Sequence, residues 1–593
     1  MSSYIFDIET DGLLEDLTKI HCLVIKDHDT NKIYSYSPKE VEEGIKRLSS
    51  ASSLIGHNIL KFDIPAIKKI FPNWETKAKI IDTIVCSRLI WADIKQNDFK
   101  HCKKTNFPTT MIGKHSLASW GHRLGILKGD FAEHTDWQEW SPEMQLYCEQ
   151  DVEINHTFYK KILSKNYSEK AMELEHEFQK CILLQEQQGF CFDKKKGEQL
   201  YNILSQRRAY LEQELQQCFP EWHEDMGEFI PARDNKTLGY VKGVAVHKVK
   251  KFTFNPASRD HIANRLQALK GWKPIEFSNN GKPVVDEKVL SQLDYPEAEL
   301  LSEYLMINKR IGMLAEGQQA WLKLERNGKI YGSVVTNGTN TGRAVHMRPN
   351  IAQCVGLDSQ YGRECRSLFT VPTGYKLVGI DFSSLELSVL ASYIAPLDNG
   401  EFIREVTEGD LHSLNQKRAG LSSRSLAKRF IFALNYGAGD RRIGEIINGN
   451  AKQGKEIKER FYKNTPALKL LQDKVRIKAR QIGYLKGLDG RHLDYRSLHS
   501  CFNLLIQSGG SILVKQATVN LHKELKNRGY KYGEDWSMVA HVHDEMQLQV
   551  KNELADTIGK IAVQVIKDTQ KDFNFRCPLN GEYKVGGNWA ETH

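Results

Sequence analysis

The apolar run KLVGI, residues 376–380, reads as a buried strand that delivers Asp381 at its C-terminal end, just before a helix that begins near Ser383. Residues 538–542 and 546–550 are two short alternating runs, and between them stand His543, Asp544 and Glu545, where a hairpin has to turn. Asp381 and Asp544 can therefore approach one another from separate strands, and carboxylates so placed are what Mg2+-dependent phosphoryl transfer requires. Glu545 is acidic and adjacent, but successive strand residues face opposite ways, which gives it a supporting place. His541 and His543 form an HxH without a third nearby ligand, so the pair does not read as a zinc site.

Residues 424–437 read RSLAKRFIFALNYG, and Arg424, Lys428, Phe432 and Tyr436 recur at every fourth position. Steps of four on an α-helix drift only about 40° each, so two cations and two rings share one face, with the cations nearer the N-terminus. That face suits a nucleoside triphosphate, with the cations on its phosphates and the rings over base and sugar. Standing alone, the segment reads more readily as an amphipathic surface helix. Ser422 and Ser423 at its start, and Gly437 and Gly439 after it, bound it as a unit that could rotate rigidly.

A third group of acids lies near the N-terminus. Residues 4–10 alternate like a strand, which puts Phe6 and Ile8 on one side and Asp7 and Glu9 on the other. GHNILKFDIP, residues 56–65, adds Asp63, and YCEQDV, residues 147–152, adds Asp151. Four acids in one cleft repel one another unless divalent cations neutralise them, the arrangement of a two-metal phosphodiesterase. Tyr147 lies one helical turn before Asp151, from where its hydroxyl can orient a water.

At 593 residues the chain is too long for one core and should divide into roughly three to five domains. A formal charge of +9 favours a polyanionic partner only weakly. The first residues lack a basic segment followed by an apolar stretch, and no window approaches a membrane span, so a cytoplasmic protein is expected. The 11 cysteines are scattered without a CxxC pair and read as reduced packing residues.

Together, VGIDFSSLE, RSLAKRFIFALNYG and VHDE resemble the characteristic motifs of the DNA polymerase A family, and the rest of the chain narrows the likeness to its phage replicative members. The order DxE, HNxxxFD, YxxxD resembles the 3′ to 5′ proofreading exonuclease of the DnaQ-like class. The resemblance implies an α/β multidomain protein, with an RNase-H-like exonuclease domain joined to a right-hand polymerase of thumb, palm and fingers. The corresponding segments are 1–165 for the exonuclease, 166–325 for the thumb, 326–397 and 496–593 for the palm, and 398–495 for the fingers. Residues 168–188 and 194–218 both read as helices and suit a long antiparallel arm in the thumb.

The same resemblance implies roles residue by residue. Asp381, Asp544 and Glu545 serve nucleotidyl transfer, with two Mg2+ ions on Asp381 and Asp544. Asp7, Glu9, Asp63, Asp151 and Tyr147 serve proofreading, with two more Mg2+ ions on the four acids; Mn2+ is expected to substitute in both sites. His412, Arg424, Lys428, Phe432 and Tyr436 bind the incoming dNTP, and Glu386 blocks the 2′-carbon of its sugar. Arg343, Asn503, Gln507 and His543 meet primer-template DNA, and Arg491, in the turn GLDGRHL, meets template phosphate. A replisome helicase-primase and a single-strand-binding protein are possible partners, and a monomer in the host cytoplasm is expected. Relatives that use thioredoxin carry a large thumb insertion, whereas here only about thirty residues span the gap, with a basic run over 236–251; thioredoxin is therefore not expected. Two rival readings are a nuclease whose second half only holds DNA, and an accessory DNA-binding protein with neither activity.

Overall fold

The computed structural model of the chain describes residues 2–102, 107–127, 131 and 135–593. Two compact bodies result: Met1–Phe190 with Gly332–Cys354 and Thr370–His593, and Cys191–Tyr331 with Val355–Phe369.

The first body holds a mixed five-stranded sheet near the N-terminus, in the order Ile33–Tyr36, Ile20–Asp27, Ser3–Thr10, Ser53–Gly56, Lys79–Asp82. The first three strands are antiparallel neighbours, and the last two run parallel to Ser3–Thr10. Period-two alternation sorts the central strand: Tyr4, Phe6 and Ile8 enter one apolar layer, while Ile5 enters a second layer with Met144, Cys148 and Val152 of the Pro142–Leu163 helix. Asp7 and Glu9 therefore share the side that this helix covers.

The same body holds a four-stranded antiparallel sheet in the order Trp536–Val542, Glu545–Lys551, Tyr375–Phe382, Gly581–Gly586. The apolar run at 376–380 lies in Tyr375–Phe382, one of its two inner strands, and the Cys501–Asn527 and Ala555–Thr569 helices supply much of the shared core. Among the described residues, no helix is long and apolar enough to cross a membrane.

Two segments lie in a different compact body from the residues they were expected to join. The Glu169–Gln188 helix, which Ser168 caps and Gly189 ends, belongs to the first body, because Leu174, Phe178, Cys181 and Ile182 enter the core of the four-stranded sheet. It is thus not the partner of the next helix. Lys194–Cys218 pairs instead with Pro296–Ile311 inside the second body, through Arg207 to Glu303 at 2.7 Å and Tyr304 to Glu212 at 2.9 Å. Residues 355–369, expected in the palm, also join the second body, where Phe369 packs on Phe192 and Trp321. Residues Trp222–Phe229 and Val246–Phe252 form a two-stranded hairpin, and Lys236, Lys242, Lys248, Lys250 and Lys251 are all exposed on it and its connecting loop.

Candidate active site

Asp381 sits at the end of the Tyr375–Phe382 strand with Glu545 opposite on one neighbour and Glu582 on the other. The Phe382 N–H donates to the Asp544 carbonyl at 3.3 Å, which brings the hairpin turn to the same strand end. His543 makes that turn with a left-handed φ of 56°, and the exposed Asp544 follows it. Asp381 keeps solvent access at the rim, yet surrounding protein strips part of its hydration, and together with the charges of Asp544, Glu545 and Glu582 pushes its carboxyl up to about 7.

Glu545 is held differently. Burial acts to raise its pKa, but donors from His593 Nδ1 at 2.8 Å, Trp589 Nε1 at 2.6 Å and Gln547 Nε2 at 2.5 Å outweigh it and leave the carboxyl below its ordinary value. Glu545 is thus a fixed, buried anion beside the exposed Asp381 and Asp544. His541 points into the protein, bonded through Nε2 to Thr518 Oγ1 at 3.1 Å, and burial drives its pKa down to about 3.

A second cluster lies beside the first. Arg343 Nη2 donates to Glu386 Oε1 at 3.0 Å, and the Tyr436 hydroxyl donates to the same oxygen at 3.2 Å. Asn503 and Gln507 are the half-exposed positions in an otherwise buried opening stretch of the Cys501–Asn527 helix, and Gln507 reaches Tyr436. The charge of Arg343 acts on His543, which ties this cluster to the turn that carries Asp544.

The Arg424–Asn435 helix begins at Ser423, whose Oγ accepts from Leu426 N at 3.2 Å. Arg424 and Lys428 are exposed, and Phe432 packs partly into the core. Arg424 is paired with Asp410 at 2.9 Å, a partner that local sequence patterning missed. Its hydrogen bonds hold the Asp410 carboxyl far below the usual range. The His412 side chain lies outside the described residues.

Arg491 is a correction. The turn forms, with Gly490 at φ 84° and Gly487 N–H on the Arg491 carbonyl at 2.9 Å. Its side chain, however, is 2% exposed and bonded to Asp489 and Glu175, so it cannot reach a template phosphate. Two anions inside the protein attract the guanidinium more strongly than solvent does.

In the N-terminal sheet, Asp7, Glu9 and Cys148 offer ligand atoms within 4.8 Å of one another. Cys148 was not anticipated, although it lies three residues before Asp151, on the same helix face. Asp63 and Asp151 are buried and are not part of that tight group. Asp63 is pushed up by burial and by the charges of Asp82 and Asp151, so these three acids share one region of like charge. Asp82, also missed, accepts from the Asn58 and Leu60 N–H groups at 2.8 and 3.1 Å and so shapes the loop leading to Asp63. Tyr147 is half-buried against Phe131 and Trp137.

Both clusters suit hard divalent cations. A carboxyl pushed up to about 7, as Asp381 and Asp63 are, is relieved when an oxygen-seeking cation takes the place of its proton.

Comparison with known proteins bears on the whole chain. The family model for DNA polymerase family A matches residues 236–591. The DNA-directed DNA polymerase of Enterobacteria phage T3 is 35% identical over 705 aligned positions, covering 99% of both chains, and that of Escherichia phage T7 is 35% identical over 702, again covering 99% of both. Those alignments are longer than the 593 residues of this chain, so each relative carries sequence without a counterpart here. Among solved structures, the POL domain of Pol1 from M. smegmatis, in complex with DNA primer-template and dNTP, superimposes with a TM-score of 0.73 at 15% identity, covering 99% of this chain and 96% of that one. With the sheet-end acids, the Arg424–Asn435 helix and full-length similarity all in agreement, this chain belongs to DNA polymerase family A.

Proposed function

We propose that the chain is a template-directed DNA polymerase that extends a primer 3′ end with deoxynucleotides, edits with a 3′ to 5′ exonuclease, and serves phage genome replication. The observation that carries the polymerase reading is the strand-end group of Asp381, Asp544 and Glu545 coupled to the Arg343, Glu386 and Tyr436 cluster.

Asp381 and Asp544 would hold two Mg2+ ions, which supply Lewis acidity to the primer hydroxyl and to the departing pyrophosphate. Glu545 adds fixed negative potential behind them, kept in place by Trp589, Gln547 and His593. Arg424 exchanges Asp410 for the triphosphate, and Lys428 and His412 add cationic or donor groups to it. Phe432 and Tyr436 cover sugar and base. Arg343 and Gln507, with Asn503 one turn earlier, donate to minor-groove acceptors that all four base pairs share, so pair geometry is tested without reading sequence. His543 borders the primer end. Palm residues then fall within 332–354, 370–397 and 496–593, fingers within 398–495 and thumb within 191–325.

In the exonuclease, Asp7, Glu9, Asp63 and Asp151 would hold two cations, and Tyr147 orients the attacking water. Primer-template DNA and dNTPs are the partners, alongside a helicase-primase and a single-strand-binding protein. The hairpin with its exposed lysines stands where a thioredoxin-binding insertion would be, which supports thioredoxin-independent action.

The direct test is primer extension by purified chain with dNTPs and Mg2+; failure to extend under any divalent cation would overturn the reading. Two substitutions probe its selectivity. Glu386→Ala removes the bulk and charge that exclude a 2′-hydroxyl, and the preference for dNTP over rNTP should fall by about a hundredfold or more in competing incorporation assays. Phe432→Tyr supplies a hydroxyl in place of the hydrogen bond a dideoxynucleotide lacks, so discrimination against dideoxynucleotides should drop by roughly ten- to a hundredfold. If the unsubstituted chain uses both nucleotides equally, that role for Phe432 is wrong.

A further inference from the structure

The Cys501–Asn527 helix places Asn503, Gln507, Ser511 and Lys515 at successive steps of four, which makes them one stripe. The first two lie at the candidate active site. Ser511 Oγ donates to the Gly342 carbonyl at 2.8 Å, and Lys515 Nζ donates to Glu175 Oε1 at 2.5 Å. Glu175 also receives Arg491 Nη1 at 2.8 Å, and Arg491 makes a forked contact to Asp489 with Nε and Nη2 at 2.9 and 2.6 Å. Two cations and two anions thus form a neutral quartet, each member no more than 3% exposed.

This quartet touches the loop that carries Arg343. Arg491 Nη1 lies 3.4 Å from Asn337 Oδ1, and Asn337 Nδ2 donates to the Arg88 carbonyl at 2.7 Å. Gly342 has a φ of 80°, and a Cβ there would stand 2.8 Å from Arg491 Nη1, so guanidinium and loop backbone are in contact. Within the loop, Arg343 N–H donates to Thr339 Oγ1 at 3.0 Å and Gly338 N–H to the Arg343 carbonyl at 3.1 Å. Arg343 is therefore the end of a short, tightly bonded loop gripped at Asn337 and at Gly342.

Buried ion pairs are weak sources of stability, since apolar replacements of similar volume are often neutral or stabilising, and their best use is to specify one geometry. We infer that Arg491, clamped by Asp489 and by Glu175, which Lys515 holds in turn, is a positioning residue that together with Ser511 fixes the Asn337 to Gly342 loop and so aims Arg343 at the primer terminus. The inference rests on the proposed minor-groove role of Arg343. Arg491 acts through the loop and touches no substrate.

The experiment compares extension from a primer ending in guanine with extension from one ending in 3-deazaguanine, which lacks the minor-groove acceptor. The full unsubstituted chain should lose about tenfold or more on the analogue, the worth of a hydrogen bond to a charged donor, and Arg343→Ala should lose almost nothing further. Arg491→Lys keeps the charge but not the fork, and Ser511→Ala deletes one hydroxyl and serves as the test if Arg491→Lys fails to fold. Both should extend the natural primer at least about fivefold more slowly, and their penalty on the analogue should shrink to under about threefold. Slower extension with the full analogue penalty retained would reduce the quartet to a packing role and overturn the inference alone. No analogue penalty in the unsubstituted chain would overturn the role of Arg343, and the positioning of Arg343 with it.

Discussion

Asp544→Asn should reduce primer extension by about a thousandfold or more while leaving the digestion of single strands intact. The substitution keeps shape and removes one of the exposed carboxylates at the sheet end, and loss of several kcal/mol of cation-mediated stabilisation corresponds to a factor of that order. The Asp544 carbonyl, which bonds Phe382, is untouched, so thermal stability should change little. A pH dependence accompanies it in the unsubstituted chain. Asp381 binds a proton until about pH 7, and a cation has to displace that proton, so affinity for the cation weakens as pH falls through 7. Lowering pH from about 8 to about 6 should raise the Mg2+ needed for half-maximal extension by about tenfold. Extension that survives Asp544→Asn would favour a nuclease whose second half only holds DNA.

The complementary result concerns Asp7 and Glu9. Asp7→Ala with Glu9→Ala should abolish Mg2+-dependent digestion of single strands, by about three orders of magnitude or more, and leave synthesis within about twofold. The two acids lie on one side of the Ser3–Thr10 strand, beside Cys148 and apart from the four-stranded sheet, so removing them relieves like-charge repulsion without opening the core. Digestion that continues unchanged would remove these residues from any catalytic role. Parallel loss of synthesis would show that the two activities are not separable in this chain.

Local chemistry was the legible part of the fold. Ser168 and Gly189 mark the ends of one helix and Ser423 the start of another, and the alternating runs around Asp544 make the hairpin, because caps, turns and period-two patterns depend on residues a few positions apart. The strand that delivers Asp381 is equally local. What escaped is nonlocal. Nothing near Arg491 announces Glu175, 316 positions earlier, yet that pairing turns an expected surface cation into a buried one. Asp410 against Arg424, Glu582 against Asp381, and His176 accepting the Asp82 N–H likewise depend on how elements meet. Ile203 and Tyr210 are apolar in sequence yet exposed in the fold. On the Lys194–Cys218 helix the buried stripe is narrow, Leu200, Leu204, Leu211 and Leu215, because Pro296–Ile311 supplies most of its packing and the rest of its surface meets solvent.

Single-nucleotide incorporation opposite each of the four template bases, by the purified chain with Mg2+ and one dNTP at a time, tests template-directed synthesis with the fewest assumptions. Each template base should admit its complementary dNTP with strong preference over the other three, and chelation of the cation should stop incorporation. Addition of the same nucleotide whatever the template base, or no addition at all, would mean that the Asp381, Asp544 and Arg343 constellation does not do what its geometry suggests.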